Sequence, residues 1–116
     1  MVKKFLGLIG CGYWGKNLAR DFHSLGVLRR VSDNNIKAKN TVSQISKDII
    51  FSADYKKILK DDSISSVAIA TPAKSHYKLV REAIMEKKNV FVEKPLCLKY
   101  SDGKKLLLLS KKNNVK

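Results

Sequence analysis

Short apolar runs alternate with polar, helix-periodic segments along the whole chain. Residues 4–9 form the first run, too short for a helix and suited to a buried strand. Gly10-Cys11-Gly12-Tyr13-Trp14-Gly15 punctuates it. From Trp14 the apolar positions recur at Leu18, Phe22 and Leu25, one face of a helix that Gly26 closes. Val27 to Ser32 reads as a second strand, ending at Asp33-Asn34-Asn35. A polar helix over about Ile36 to Ser46 follows, with Ile36, Val42 and Ile45 as its inner face, and Ile49-Ile50-Phe51 is a third strand. Asp54 is placed to cap a short helix from Tyr55 to Lys60, its carboxylate accepting orphan backbone N–H groups.

Ser66 to Ala70 is apolar enough to be covered on both faces, and Thr71-Pro72 breaks it. A helix over about Ser75 to Glu86 carries Tyr77, Val80 and Ile84 on one stripe. Asn89 to Val92 is a fifth strand, closed by Glu93-Lys94-Pro95, and Ser101 can cap a last helix from Asp102 to about Lys112 around the run Leu106 to Leu109. Strands alternating with helices predict βαβ units, hence one α/β domain over residues 1–116: a doubly wound parallel sheet in three layers. Five strands are expected. A complete dinucleotide fold of this kind carries a sixth, and Asn113 to Lys116 stop where it would begin.

Composition changes this picture little. The chain has 116 residues with 24 Lys plus Arg against 10 Asp plus Glu, a formal net charge of +14. Such an excess attracts polyanions. Yet 20 of the 24 are Lys, the less suited to bidentate phosphate and base contacts, and they are scattered in pairs. A solvated lysine surface is the expectation, and nucleic acid is not the expected partner. No run approaches the length of a membrane span. Met1 to Cys11 resembles a short lipoprotein signal, but its apolar run Phe5 to Gly10 is under the usual minimum of about seven residues. Cys11 and Cys97 lack metal or redox spacing, so reduced thiols in a cytoplasmic protein and no metal site are expected.

The chemistry is concentrated in the glycine turn. Gly10-x-Gly12-x-x-Gly15 alone is a weak motif, but a strand precedes it, a helix follows, and Asp33 stands 18 residues past Gly15 at the end of a second strand. That is the Rossmann context. Gly10 permits the tight turn, Gly12 lets backbone approach a pyrophosphate, and Gly15 lets the helix pack on the strand. Bare N–H groups of the helix start then face the anion. Asp33, with Asn34 beside it, can accept from the adenosine ribose diol and would repel a 2′-phosphate, which favours NAD over NADP. Trp14 is read chiefly as a core residue but is also counted among the cofactor-binding residues, and Tyr13 as lying over the cofactor; Cys11 is assigned no chemistry.

Gly-Cys-Gly-Tyr-Trp-Gly-Lys-Asn at 10–17, Ala-Thr-Pro-x-x-x-His at 70–76 and Val-Phe-Val-Glu-Lys-Pro at 90–95 together resemble the glucose–fructose oxidoreductase / inositol 2-dehydrogenase / MocA family. Within it, the Tyr-Trp-Gly-Lys-Asn variant looks most like enzymes that oxidise C3 of UDP-linked N-acetylhexosaminuronic acids. The resemblance covers essentially the whole chain, as the N-terminal cofactor domain. It implies hydride transfer between a sugar or nucleotide-sugar alcohol and NAD, with Lys94 as the active-site lysine. It further implies that Glu93 and Pro95 shape the lysine's loop, and that Thr71, Pro72 and His76 line the nicotinamide pocket. An ammonium near a developing alkoxide stabilises charge and assists proton transfer.

The family's substrate domain has no counterpart in these 116 residues, so the expectation is a cofactor domain inactive alone, as a truncated product or one half of a split enzyme. Two other readings compete. One is a basic binding or scaffolding module that keeps the fold. The other is a remnant without catalysis that self-associates through a bared sheet edge.

Overall fold

The computed structural model describes residues 3–92 and 100–116, with Tyr13 and Tyr100 described by backbone alone. The elements are β1 (Leu6–Ile9), α1 (Tyr13–Ser24), β2 (Leu28–Ser32), α2 (Ala38–Ile45), β3 (Ile50–Ser52), α3 (Lys56–Leu59) and β4 (Ser66–Ile69). A 3-10 turn (Ala73–Ser75) leads into α4 (His76–Met85), then β5 (Asn89–Val92) and α5 (Tyr100–Lys112). The strands form one sheet in the order β3-β2-β1-β4-β5, every pair parallel. Parallel strands need covered crossovers, and the helices supply them on both faces.

Alternation along β1 and β4 divides the core in two. Leu6, Leu8 and Ala68 point into one cluster with Ala19, Leu28, Val31, Ala38 and Val42, beneath α1 and α2. Ile9, Val67 and Ile69 point the other way, into a cluster with Ile58, Leu79, Val80, Ala83, Ile84 and Leu106, beneath α3, α4 and α5. The expected three layers are therefore present.

Two helix faces differ from expectation. In α1 the inward positions are Gly15, Leu18, Ala19 and Phe22, while Trp14 is 67% and Leu25 66% exposed. The helix is phased by Gly15, which must reach the backbone of Gly10, and that turns Trp14 outward. In α2, Ala38 replaces Ile36 on the inner face. The Asn35 side chain accepts from Lys37 N (3.0 Å) and its carbonyl from Ala38 N (3.0 Å), so Ile36 is spent in a turn and exposed. Asp54 does cap α3, accepting from Lys56 N at 2.9 Å. At the far end, Val90 N donates to Lys116 O (2.7 Å) and Lys116 N to Asn89 Oδ1 (3.0 Å), a first rung along the outer edge of β5.

The rim where strands begin is sealed by charge. Asp61 Oδ2 accepts from Arg29 Nε (2.8 Å) and Arg30 Nε (2.6 Å), and Oδ1 from Ser63 N (2.9 Å). Nearby, the buried Lys88 ammonium donates to the carbonyls of Asp61 (2.9 Å) and Ile64 (2.6 Å), closing the loop into β4. Burial works to raise the Asp61 carboxyl, but hydrogen bonds from Arg30, Arg29 and Ser63 outweigh it and hold it at about 2. A carboxyl depressed from 3.8 stabilises the fold above that value and loses its contribution as pH falls toward about 2. Denaturant melts of wild type and Asp61→Asn should therefore differ by about 2 kcal/mol near neutrality and converge as pH falls from about 4 to about 2.

Candidate functional site

The opposite rim, at the carboxyl ends of the strands, is open. The sequence leaves β1 toward β2 and β3 on one side and returns beside it as β4 on the other, so the order reverses between β1 and β4. Ligands of open α/β sheets bind at such a switch point. Gly10 N donates to Ser32 O (2.7 Å) and Ala70 N to Ile9 O (2.8 Å), tying the ends of β2, β1 and β4 together. Gly10 has φ +99°, and a Cβ there would lie 2.8 Å from the Ala70 carbonyl carbon. A Cβ on Gly15 would lie 2.2 Å from Gly10 O. Only two glycines let α1 start this close to β1. A Cβ on Gly12 would meet nothing within 4 Å, so that position faces open space.

Gly12 offers the helix no side-chain cap, and the first turn of α1 contains no acid. The positive end of the helix is thus left for a ligand anion. Asp33 stands beside it. Its Oδ2 accepts from Cys11 N (2.7 Å) and its Oδ1 from Asn35 N (2.8 Å), so the carboxylate is locked in orientation and each oxygen retains acceptor capacity. Burial, and then the Asp33 charge, push the Cys11 thiol up, which keeps it an inert thiol.

A cleft of about 660 Å³ opens over this turn. Of the residues expected from sequence, Gly10, Gly12, Trp14, Asp33, Asn34, Thr71 and Pro72 line it together. Trp14, read chiefly as core and also counted as a cofactor residue, stands on its wall. Gly15 lies beneath, against Gly10. His76 is buried at the start of α4 and outside the cleft lining; its Nε2 lies 2.9 Å from Thr71 O, which can only accept. With Ser75 Oγ 2.7 Å from both Thr71 Oγ1 and Pro72 O, it braces the turn that carries Thr71 and Pro72. Glu93, Lys94 and Pro95 lie outside the described residues, as do Cys97 and the side chain of Tyr13.

The far wall is made of residues that the sequence reading missed: Ala53, Tyr55, Lys74, Lys78 and Leu79. Tyr55 was placed only as a helix start. Its hydroxyl donates to Glu82 on α4, and burial together with that carboxylate pushes the phenol up to about 12, so it is a fixed neutral wall. Lys74 and Lys78 sit four apart, on the side of α4 and its leading turn away from the core. Their helical phase was readable; their position over a cleft depends on where β4 lies in the sheet.

Strand, glycine turn and helix at a switch point, with an acid closing the second strand, define a dinucleotide-binding Rossmann domain. The profile of the Gfo/Idh/MocA oxidoreductases, an NAD-binding Rossmann fold, matches residues 5–116, and the chain belongs to that family. It is similar to an uncharacterised oxidoreductase of Streptococcus pneumoniae, 33% identical over 119 residues, covering 99% of this chain and 30% of that protein. It is also similar to an inositol 2-dehydrogenase of Burkholderia multivorans, 30% identical over 97 residues, covering 80% and 29%. Among solved structures, GenD2 from gentamicin A biosynthesis in complex with NAD superposes with a TM-score of 0.90 at 26% identity, covering 99% of this chain and 34% of that one. The chain thus spans about a third of the length of the proteins it matches.

The two glycines should separate folding from binding. Gly12→Val, built into open space, should leave the denaturation midpoint nearly unchanged and abolish dinucleotide binding. Gly15→Ala, driven onto the Gly10 carbonyl, should cost about 2–3 kcal/mol in urea denaturation before binding is even measured.

Proposed function

We propose that this domain binds NAD in preference to NADP and serves a dehydrogenase that oxidises a secondary alcohol of a sugar or nucleotide sugar. The observation that carries the cofactor choice is the Asp33 carboxylate, held at the end of β2 by Cys11 N of the phosphate turn itself. Its negative charge suits a ribose diol and opposes a 2′-phosphate. The substrate class is supported by the resemblance at residues 10–17, 70–76 and 90–95 and by the likeness to an inositol 2-dehydrogenase. A solved UDP-N-acetylglucosamine 3-dehydrogenase shares the fold at 21% identity.

In this reading the glycine turn and the start of α1 hold the diphosphate, and Asp33 orients the adenosine ribose. Thr71 and Pro72, braced by Ser75 and His76, bound the cleft on the β4 side. A dinucleotide held there would supply a nicotinamide as hydride acceptor. Lys94, following β5, is the group assigned to steady the substrate oxygen and take up its proton. Turnover is assigned to the domain together with the substrate-binding part that the longer relatives carry. The exposed Phe91 side chain on β5 supports self-association through an apolar face, while Lys116 already meets Val90 on the edge of that strand. Among the described residues no helix is long and apolar enough to cross a membrane; a cytoplasmic location remains part of the proposal.

Trp14 is the single tryptophan and stands on the cleft, so it reports binding directly. NAD should quench its emission saturably, and NADH should do so by energy transfer. NADP should bind about tenfold or more weakly, a gap of about 1.4 kcal/mol. Asp33→Ala should weaken NAD by a similar factor and narrow the gap. Tighter binding of NADP, or no saturable signal from folded protein at millimolar NAD, would overturn the reading.

A further inference from the structure

A second concave surface lies on the outer side of the molecule, away from the cofactor cleft, between α4 and α5. It is a groove of about 340 Å³ whose floor is apolar: Tyr77 from α4, and Leu106 and Leu109 from α5. Leu108 forms its lip, 68% exposed, and Leu107 beside it is 60% exposed. Of the four consecutive leucines, only Leu106 is fully buried and Leu109 is partly so. Leu107 and Leu108 are exposed apolar area among the described residues.

The rim is cationic. Lys105 and Lys112 flank the leucines along α5, and Arg81 faces them from α4 one turn beyond Tyr77. No acidic side chain is among the described residues that line the groove. From Lys105 to Lys112 the groove follows α5 for about 10 Å, two helical turns. An apolar floor of that length, between cations spaced a turn or two apart, complements a helix with leucine-like residues on one face and carboxylates beside them.

We propose that the α4–α5 groove docks an acidic amphipathic helix of a partner polypeptide, with its apolar stripe over Tyr77, Leu106 and Leu109 and its carboxylates against Arg81, Lys105 and Lys112. The inference is independent of the cofactor reading. Concavity selects a protruding helix over a bilayer: a flat surface reaches Leu107 and Leu108 but not the floor between the helices. Charge selects a different chain over a second copy, because two such rims brought together repel.

The full chain is titrated into a fluorescein-labelled helical peptide of about three turns, with Leu on one face and Glu on the others, and into its twin with Lys for Glu. The acidic peptide should bind saturably and weaken severalfold between about 50 and about 300 mM salt; the basic twin should not bind. Leu108→Glu, at an exposed position, should lower affinity about tenfold or more. Arg81→Glu is a second variant in case the first disturbs folding, and each is checked for an unchanged thermal melt. Equal binding of the two peptides, binding of neither, or wild-type affinity in a folded variant overturns the proposal. So does tighter binding to phosphatidylcholine–phosphatidylglycerol vesicles than to the peptide. A dimer in sedimentation that Leu108→Glu dissolves would assign the groove to a second copy and likewise overturn it.

Discussion

The structure depends on one backbone-on-backbone contact, where Gly15 at the start of α1 rests on the carbonyl of Gly10 at the end of β1, with Ala70 at the end of β4 against the other side. Three chain segments meet there, Gly10 by backbone alone and Ala70 by its backbone against Gly10 and its methyl group toward Gly15. The contact decides the phase of α1, because the helix must present Gly15 and then Ala19 to the sheet. It decides that Trp14 faces the cleft. It also leaves the amides of the first helical turn at the switch point of the sheet, where Gly12 gives no side-chain cap and the first turn carries no acid. Fold and anion site are therefore one constraint.

The two rims of the sheet show how differently the same materials can be used. Where the strands begin, Asp61 takes two guanidiniums and a backbone amide, and Lys88 closes the carbonyls of the adjoining loop. No buried side-chain nitrogen or oxygen among the described residues lacks a partner, and these charges at that rim are taken up internally. Where the strands end, Asp33 is tied to the turn yet keeps lone pairs, and Gly12 borders open space. Pre-orientation with capacity left over is what a ligand site requires.

Much of this was legible beforehand because periodicity reports burial, and burial reports which elements pack together. The five strands and their helices, the glycine turn and the Asp33 position follow from spacing alone. Helix phase failed at Trp14 and Ile36 for a physical reason. A count of apolar residues assigns the larger side chain to the core, whereas a glycine contact and an asparagine turn set the rotation here. The far wall of the cleft was invisible for another reason. Tyr55 just ahead of α3, and Lys74 and Lys78 on α4 and its leading turn, line one cleft with Asp33 only through sheet order, because β3 pairs with β2 and β4 with β1 on the side away from β2. Nothing local in the sequence encodes that adjacency.

The net charge of +14 also takes a different meaning once residues are placed. Arg29 and Arg30 are committed to Asp61, and Lys88 to backbone carbonyls, so part of the excess is structural. Lys74 and Lys78 line the same cleft as the glycine turn, which adds favourable charge there for an anionic ligand. Arg81, Lys105 and Lys112 ring a groove with a leucine floor. A uniform basic surface would act on any polyanion. These cations are instead divided among one sealed rim, one nucleotide cleft and one apolar groove, so the net charge is spent in three different settings.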